Sequence, residues 1–115
     1  MPREGAARFD GGWLPTPSLA GLATAMEMVP HWSAHHSRDV TARCWALLSE
    51  RFTVITAPGQ ANLVSFVPPG DPAEDAKRLL EHDVVVRDMP GTGWLRVSCG
   101  WWTSDGDVEQ LLDAL

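Results

Sequence analysis

Apolar positions along the chain follow two different periods. Leu19, Leu22, Ala23, Met26 and Val29 recur every three or four residues, which is the spacing of a helix with one apolar face. Thr16-Pro17 ahead of them reads as an N-cap with proline at the first helical position, and Pro30 closes the run. A second stripe of Val40, Cys44, Leu47 and Leu48 predicts a core-facing helix that starts near Ser33 or Ser37 and runs through RDVTARCWALLSERF. The pattern then changes. FTVITA and NLVSFVP are rich in β-formers and are separated by PGQA, whose Pro58-Gly59 pair is a turn signal, so they predict an antiparallel hairpin.

In DPAEDAKRLLEH, Asp71 is an N-cap acid, Pro72 a first-turn proline and Glu74 a residue placed to close a capping box. This predicts a helix that ends near Asp83. VVVR and WLRVSC flank DMPGTG, a Pro-Gly connection suited to neighbouring strands. Thr103 or Ser104 caps a last helix carrying Val108, Leu111, Leu112 and Leu115. The order predicts an α+β fold, a mostly antiparallel sheet of about four strands with helices on one face. Residues 1–15 read as an N-terminal arm. Residues 16–115 read as a single domain, with a helical lead-in over 16–51 and a sheet-helix core over 52–115.

Charge narrows the partners. Nine Lys and Arg against fifteen Asp and Glu give a formal charge of -6, which repels nucleic acid and anionic membrane surfaces. No run approaches the ~20 apolar residues of a membrane span, and the N-terminus has no signal-like apolar segment, so a cytoplasmic location is expected. Cys44 and Cys99 form no disulfide framework or metal-binding spacing and are read as reduced. Six tryptophans and no tyrosine exceed what a small core holds, and Trp13, Trp101 and Trp102 are expected at an interface.

Arg96 is the charge that needs a reason, because it sits in a strand with Trp94, Leu95 and Val97. Its fork can grip a carboxylate in a bidentate pair; the plainer outcome is an ion pair with Asp88, Asp105 or Asp107. Arg87, at the end of its strand, is a second and more solvent-facing candidate. Cys99 lies three residues after Arg96 and is expected on the opposite side of the strand as a small buried hydrophobe. Lys77 is the only lysine, on a charged helix face. His31 and His35 are four residues apart, but His36 and Cys44 do not complete a ligand set, so no metal site is expected.

The stretch NLVSFVPPGDPAEDAKRLLEHDVVVRDMPGTGWLRVSCGWWTSDGDVEQLLDAL resembles the C-terminal small domain of class V aminotransferases. This is the fold type I pyridoxal-phosphate (PLP) family that includes cysteine desulfurases and carbon-sulfur lyases. ARFDGGWLPTPSLAGLATAMEMV resembles the segment leading into that domain. The resemblance implies that Arg96 binds the α-carboxylate of an amino-acid substrate. It also implies that PLP is held by a lysine on a large domain, which this chain lacks, since Lys77 has the setting of an ordinary solvated lysine. The chain is then expected to be a small subunit, or a stand-alone small domain, that supplies Arg96 to a large PLP-binding subunit and is inactive alone. Two departures stand out. RDMPGTG replaces the loop where cysteine desulfurases carry their nucleophilic cysteine, and FDGGWLPTP replaces a Gly-Thr-Pro element. The alternative is a non-catalytic module, derived from such a domain, that binds a small carboxylate or a protein.

Overall fold

A computed structural model describes residues 15–115; most of the expected N-terminal arm, with Trp13, lies outside them. The element order is α1 (Thr16–Met28), α2 (Ser33–Arg51), β1 (Leu63–Phe66), α3 (Pro72–Leu80), β2 (Arg87–Met89), β3 (Trp94–Ser98) and α4 (Asp105–Ala114). The chain divides at His31/Trp32 into two units. The described part of the first is α1, which has no buried residue; Leu19, Leu22 and Met26 of its apolar stripe are all exposed.

The second unit is the predicted mixed fold, with a sheet in the order β1-β3-β2 and both pairings antiparallel. Alternation sends Val64 and Phe66 of β1 and Leu95 of β3 to one side, where they meet Cys44 and Leu48 of α2, Leu79 of α3, and Val108 and Leu111 of α4. Phe66, Leu48, Leu79 and Leu95 are fully buried, and each such burial is worth about 1.5–3 kcal/mol.

Two strands differ from the expectation, each for a local reason. The first run of the 52–68 hairpin is reduced to a single bridge, Val54 to Phe66. Ile55 and Thr56 N–H both donate to Ser65 O, at 2.8 and 3.4 Å, so two residues oppose one and the ladder bulges. Beyond that point Ser65 N–H donates to Thr56 Oγ1 at 2.8 Å, while Trp45 Nε1 of α2 donates to Thr56 O at 2.7 Å. The hairpin forms, but three strands and a bridge stand in place of four strands.

The second shift is in VVVR, where the ladder begins only at Arg87 and reaches Met89. α3 ends with Asp83 in the left-handed region at φ 59°, and Val84 N–H donates back to Leu79 O at 3.0 Å. This helix-ending motif takes the donor that a strand would have used. Val84 and Val86 pack on the core while Val85 is 81% exposed. Between β2 and β3, Thr92 N–H donates to Met89 O across Pro90 and Gly91, the latter at φ 75°, as a type II turn requires.

The helix starts follow the sequence closely. Asp71 accepts from Ala73 and Glu74 N–H at 3.0 and 3.2 Å. Glu74 does not close the box; Asp75 instead reaches back to accept from Gly70 N–H at 2.9 Å. Ser104 and Asp107 form a reciprocal capping box on α4. The last turn of α4 has no basic residue of its own. Arg51 from α2 donates to Leu112 O at 3.0 Å, and Arg78 from α3 donates to Ala114 O, satisfying carbonyls that a helix end leaves without partners.

The Asp107 carboxyl is held below its usual range by the Ser104 backbone N–H and then by the Ser104 hydroxyl. A lowered folded-state pKa contributes stability above the unfolded value, and this is lost as pH falls through the folded value. Ser104→Ala should therefore cost about 1 kcal/mol at neutral pH, with a smaller difference from wild type in strong acid. Urea unfolding at both pH values measures this, and an equal cost at both would contradict it.

Candidate site on the open sheet face

The alternation that buries Leu95 turns Arg96 to the other face of the sheet. Register then decides its neighbours: Ser65 of β1 stands opposite on one side and Arg87 of β2 on the other. Directly opposed residues have Cβ atoms roughly 4.5–5.5 Å apart, and like charges in that relation destabilise a sheet. Two arginines therefore share one row with no acid between them.

The surrounding ion pairs make this row conspicuous. Arg43 bridges Asp105 at 2.7 Å and Glu109 at 2.8 Å, Arg78 pairs with Asp75 at 3.1 Å, and Arg51 is bound to α4. Among the described residues Arg96 has no such pair. Of the three acids expected to compete for it, Asp105 is held by Arg43, Asp107 caps α4, and Asp88 lies opposite Leu95 in register. Arg96 Nε is buried and has no hydrogen-bond partner. Leaving a charged donor in that state is costly, and a bidentate anion is the partner that its fork geometry matches. Arg87 is exposed and Ser65 half-buried. Arg96 as a whole is half-buried.

Trp101 and Trp102 belong to a second cluster at the exit of β3. Trp32, Trp101 and Trp102 meet edge to face with centroids 5.9 Å apart at each step, and Trp32 also meets His36 at 5.6 Å. His36 Nε2 donates to Thr103 O at 2.8 Å, tying the start of α2 to the turn before α4. Trp32 is 54% and Trp102 70% exposed. Trp102 lies over Gly100, where an added Cβ would come within 2.4 Å of the indole. The contribution of Trp32 was not legible beforehand, because it depends on a tertiary contact.

Lys77 is exposed on α3. His31 and His35 are exposed, and no group of three or more metal-binding side chains occurs among the described residues. No helix among them is long and apolar enough to cross a membrane. Cys99 follows β3, is 2% exposed and points to the core side, opposite Arg96.

No family model matches the chain, and no curated protein matches it. Among solved structures it is similar to the cystine C-S lyase C-DES in complex with its reaction product cysteine persulfide, with TM-score 0.70 and 21% identity over 96% of this chain and 32% of that one. A lysine-to-alanine mutant of C-DES with glycine covalently linked to the PLP cofactor gives TM-score 0.70 and 21% identity over 96% and 31%. The fold is thus that of a portion of C-DES, and the chain spans about a third of the length of those structures.

If Arg96 were a structural ion-pair residue, removing it would destabilise the fold. Its orphaned Nε gives the opposite expectation: Arg96→Met should leave stability unchanged or raise it by about 1 kcal/mol. Thermal unfolding is the check, and a loss of about 2 kcal/mol or more would mark Arg96 as structural.

Proposed function

We propose that this chain acts as the small-domain part of a PLP-dependent enzyme of the class V aminotransferase type, in the carbon-sulfur lyase branch, with a large chain supplying the cofactor and its lysine. Arg96 holds the carboxylate of the amino-acid substrate. The observation that carries this reading is the buried, partnerless Arg96 Nε directly opposite Arg87 on an open sheet face. A carboxylate placed there gives Arg96 its missing acceptor and separates two like charges. Arg87, being exposed, adds field and a second donor where Arg96 adds geometry. The similarity to C-DES, whose mutant binds glycine covalently linked to PLP, supports the substrate class.

The residues described here do not themselves fit PLP. Lys77 is exposed on α3, and the open hollow beside it is walled by Glu74, Asp75 and Glu81, acids that repel a phosphate, so the chemical steps belong to the other chain. This chain's part is to fix one end of the substrate, which lowers the entropy cost of aligning the reacting bond. The exposed apolar stripe of α1 and the Trp32-Trp101-Trp102 cluster are surfaces for that large chain, because tryptophans of this kind anchor interfaces. A second reading, a non-catalytic carboxylate- or protein-binding module, has the same misfit of Lys77 in its favour.

Immobilised chain incubated with extract of its source should retain a large polypeptide with which PLP co-purifies. The chain alone, given PLP and an amino acid, should turn nothing over. In the joined assembly Arg96→Ala should lower kcat/KM by roughly 30-fold, about 2 kcal/mol, with the circular dichroism spectrum unchanged. Turnover by the chain alone would overturn the divided enzyme, and unchanged kinetics in Arg96→Ala would overturn the carboxylate role. Retention of a polypeptide without PLP would favour the binding module.

A further inference from the structure

α2 presents two faces. Val40, Cys44 and Leu48 look into the core. Arg38, Thr41, Ala42 and Trp45, at positions i, i+3, i+4 and i+7, form a second stripe beside them. That stripe is one wall of a cavity of about 640 Å³, and the loop from Thr56 to Asn62 with the start of β1 is the other. Sites for small molecules have volumes of roughly 300–1,000 Å³, so this cavity is large enough to be one. Both walls are braced. Trp45 Nε1 donates to Thr56 O at 2.7 Å, which ties the indole to the loop. The loop closes in a type II turn with Pro58 and Gly59 at its centre, Gly59 at φ 72°. Gln60 N–H donates to Ala57 O at 3.2 Å, and Ala57 N–H donates to Gln60 Oε1 at 3.3 Å. A pocket held in this way loses little freedom on being filled.

The chemistry of the wall is divided along α2. Trp45 lies two turns, roughly 10 Å, beyond Arg38, so charge stands at one end and a ring at the other. Among the described residues, Arg38 and Asp39 are the only charged ones on the wall. Both are exposed, and neither has an ion pair among the described residues. Consecutive positions on a helix do not face each other, so the two do not neutralise one another as a pair. Their charges sum to zero at this end of the cavity. A simple anion is drawn by Arg38 and repelled by Asp39, and a simple cation the reverse. A zwitterion satisfies both, its carboxylate on the guanidinium fork and its ammonium on the carboxylate. At the far end, an indole fixed by its own hydrogen bond suits an apolar ring stacked or edge-on against it.

We propose that the cavity between α2 and the 56–62 loop binds a free α-amino acid with an aromatic side chain. Arg38 takes the carboxylate, Asp39 the ammonium, and the ring lies against Trp45. Ala42, between Arg38 and Trp45 on the stripe, contributes only a methyl group and leaves depth for the carbon body of the ligand. Arg96 is on the sheet face turned away from α2, so this site does not draw on it and stands whether or not Arg96 holds a substrate carboxylate.

Titration of the full, nitrogen-labelled chain with L-phenylalanine, followed by NMR, should move the Trp45 indole N–H resonance to saturation. 3-Phenylpropionate lacks the ammonium and phenethylamine the carboxylate, and each should bind at least about tenfold more weakly, the loss of one charge-assisted hydrogen bond. Glycine, which has no ring, should not saturate the shift. Arg38→Gln should weaken L-phenylalanine by about the same factor, and Ala42→Leu, which fills the cavity, should abolish binding. Both positions are exposed on α2, so the fold should be retained. Arg96→Ala should bind as wild type does. If a variant fails to fold, the ligand series on the wild-type chain decides. No saturable shift up to the solubility limit of L-phenylalanine would overturn the proposal, as would equal binding of 3-phenylpropionate or phenethylamine. Binding lost in Arg96→Ala but kept in Arg38→Gln would put the ligand on the other sheet face and overturn it likewise.

Discussion

β3 has a hydrogen-bonded neighbour on each side, and this one constraint orders the rest of the second unit. A strand in that position cannot slip by one residue without exchanging its faces, so Leu95 is committed to the core and Arg96 to the open side. The fully buried Phe66 and Leu79 make any other register costly. The charge is thus held in place by the hydrophobic residues beside it. The fold carries Arg96 because expelling its row would unpair the core.

Three other arginines of the second unit serve the helices. Arg43 clamps the start of α4 to α2, while Arg51 and Arg78 from two different helices satisfy its final carbonyls. Exposed pairs such as Arg43 with Glu109 contribute little individually. They occupy Asp75, Asp105 and Glu109, while the row of Arg87 and Arg96 has no ion pair among the described residues. The arginines that tie the helices together are therefore distinct from the two that share the β2-β3 row.

Much of this was legible in the sequence where the signal is local. Asp71-Pro72 and Ser104 gave the starts of α3 and α4, Pro90-Gly91 gave a turn, and the stripe of Val40, Cys44 and Leu48 gave the inner face of α2. What could not be read depends on residues distant along the chain. The bulge at Thr56 is fixed by Trp45, eleven positions earlier. The start of β2 at Arg87 follows from Asp83 taking a conformation that usually falls to glycine. Arg87 looked like a solvent-facing strand end, and only register places it opposite Arg96. Cys99 was expected as a small buried hydrophobe, and it is 2% exposed on the core side.

The shortened β2 has a bearing on solubility. An unpaired strand edge can recruit a matching segment of another molecule, and a hydrophobic edge is the starting point for fibrils. Here the outer edge offers three residues, two of them the charged Arg87 and Asp88, and Pro90 beyond them has no N–H to donate. The three valines just upstream would be a strong aggregation nucleus if they continued the ladder. Because α3 claims the first of their amide donors, Val85 can stand in water without giving a second copy a long template to grow on.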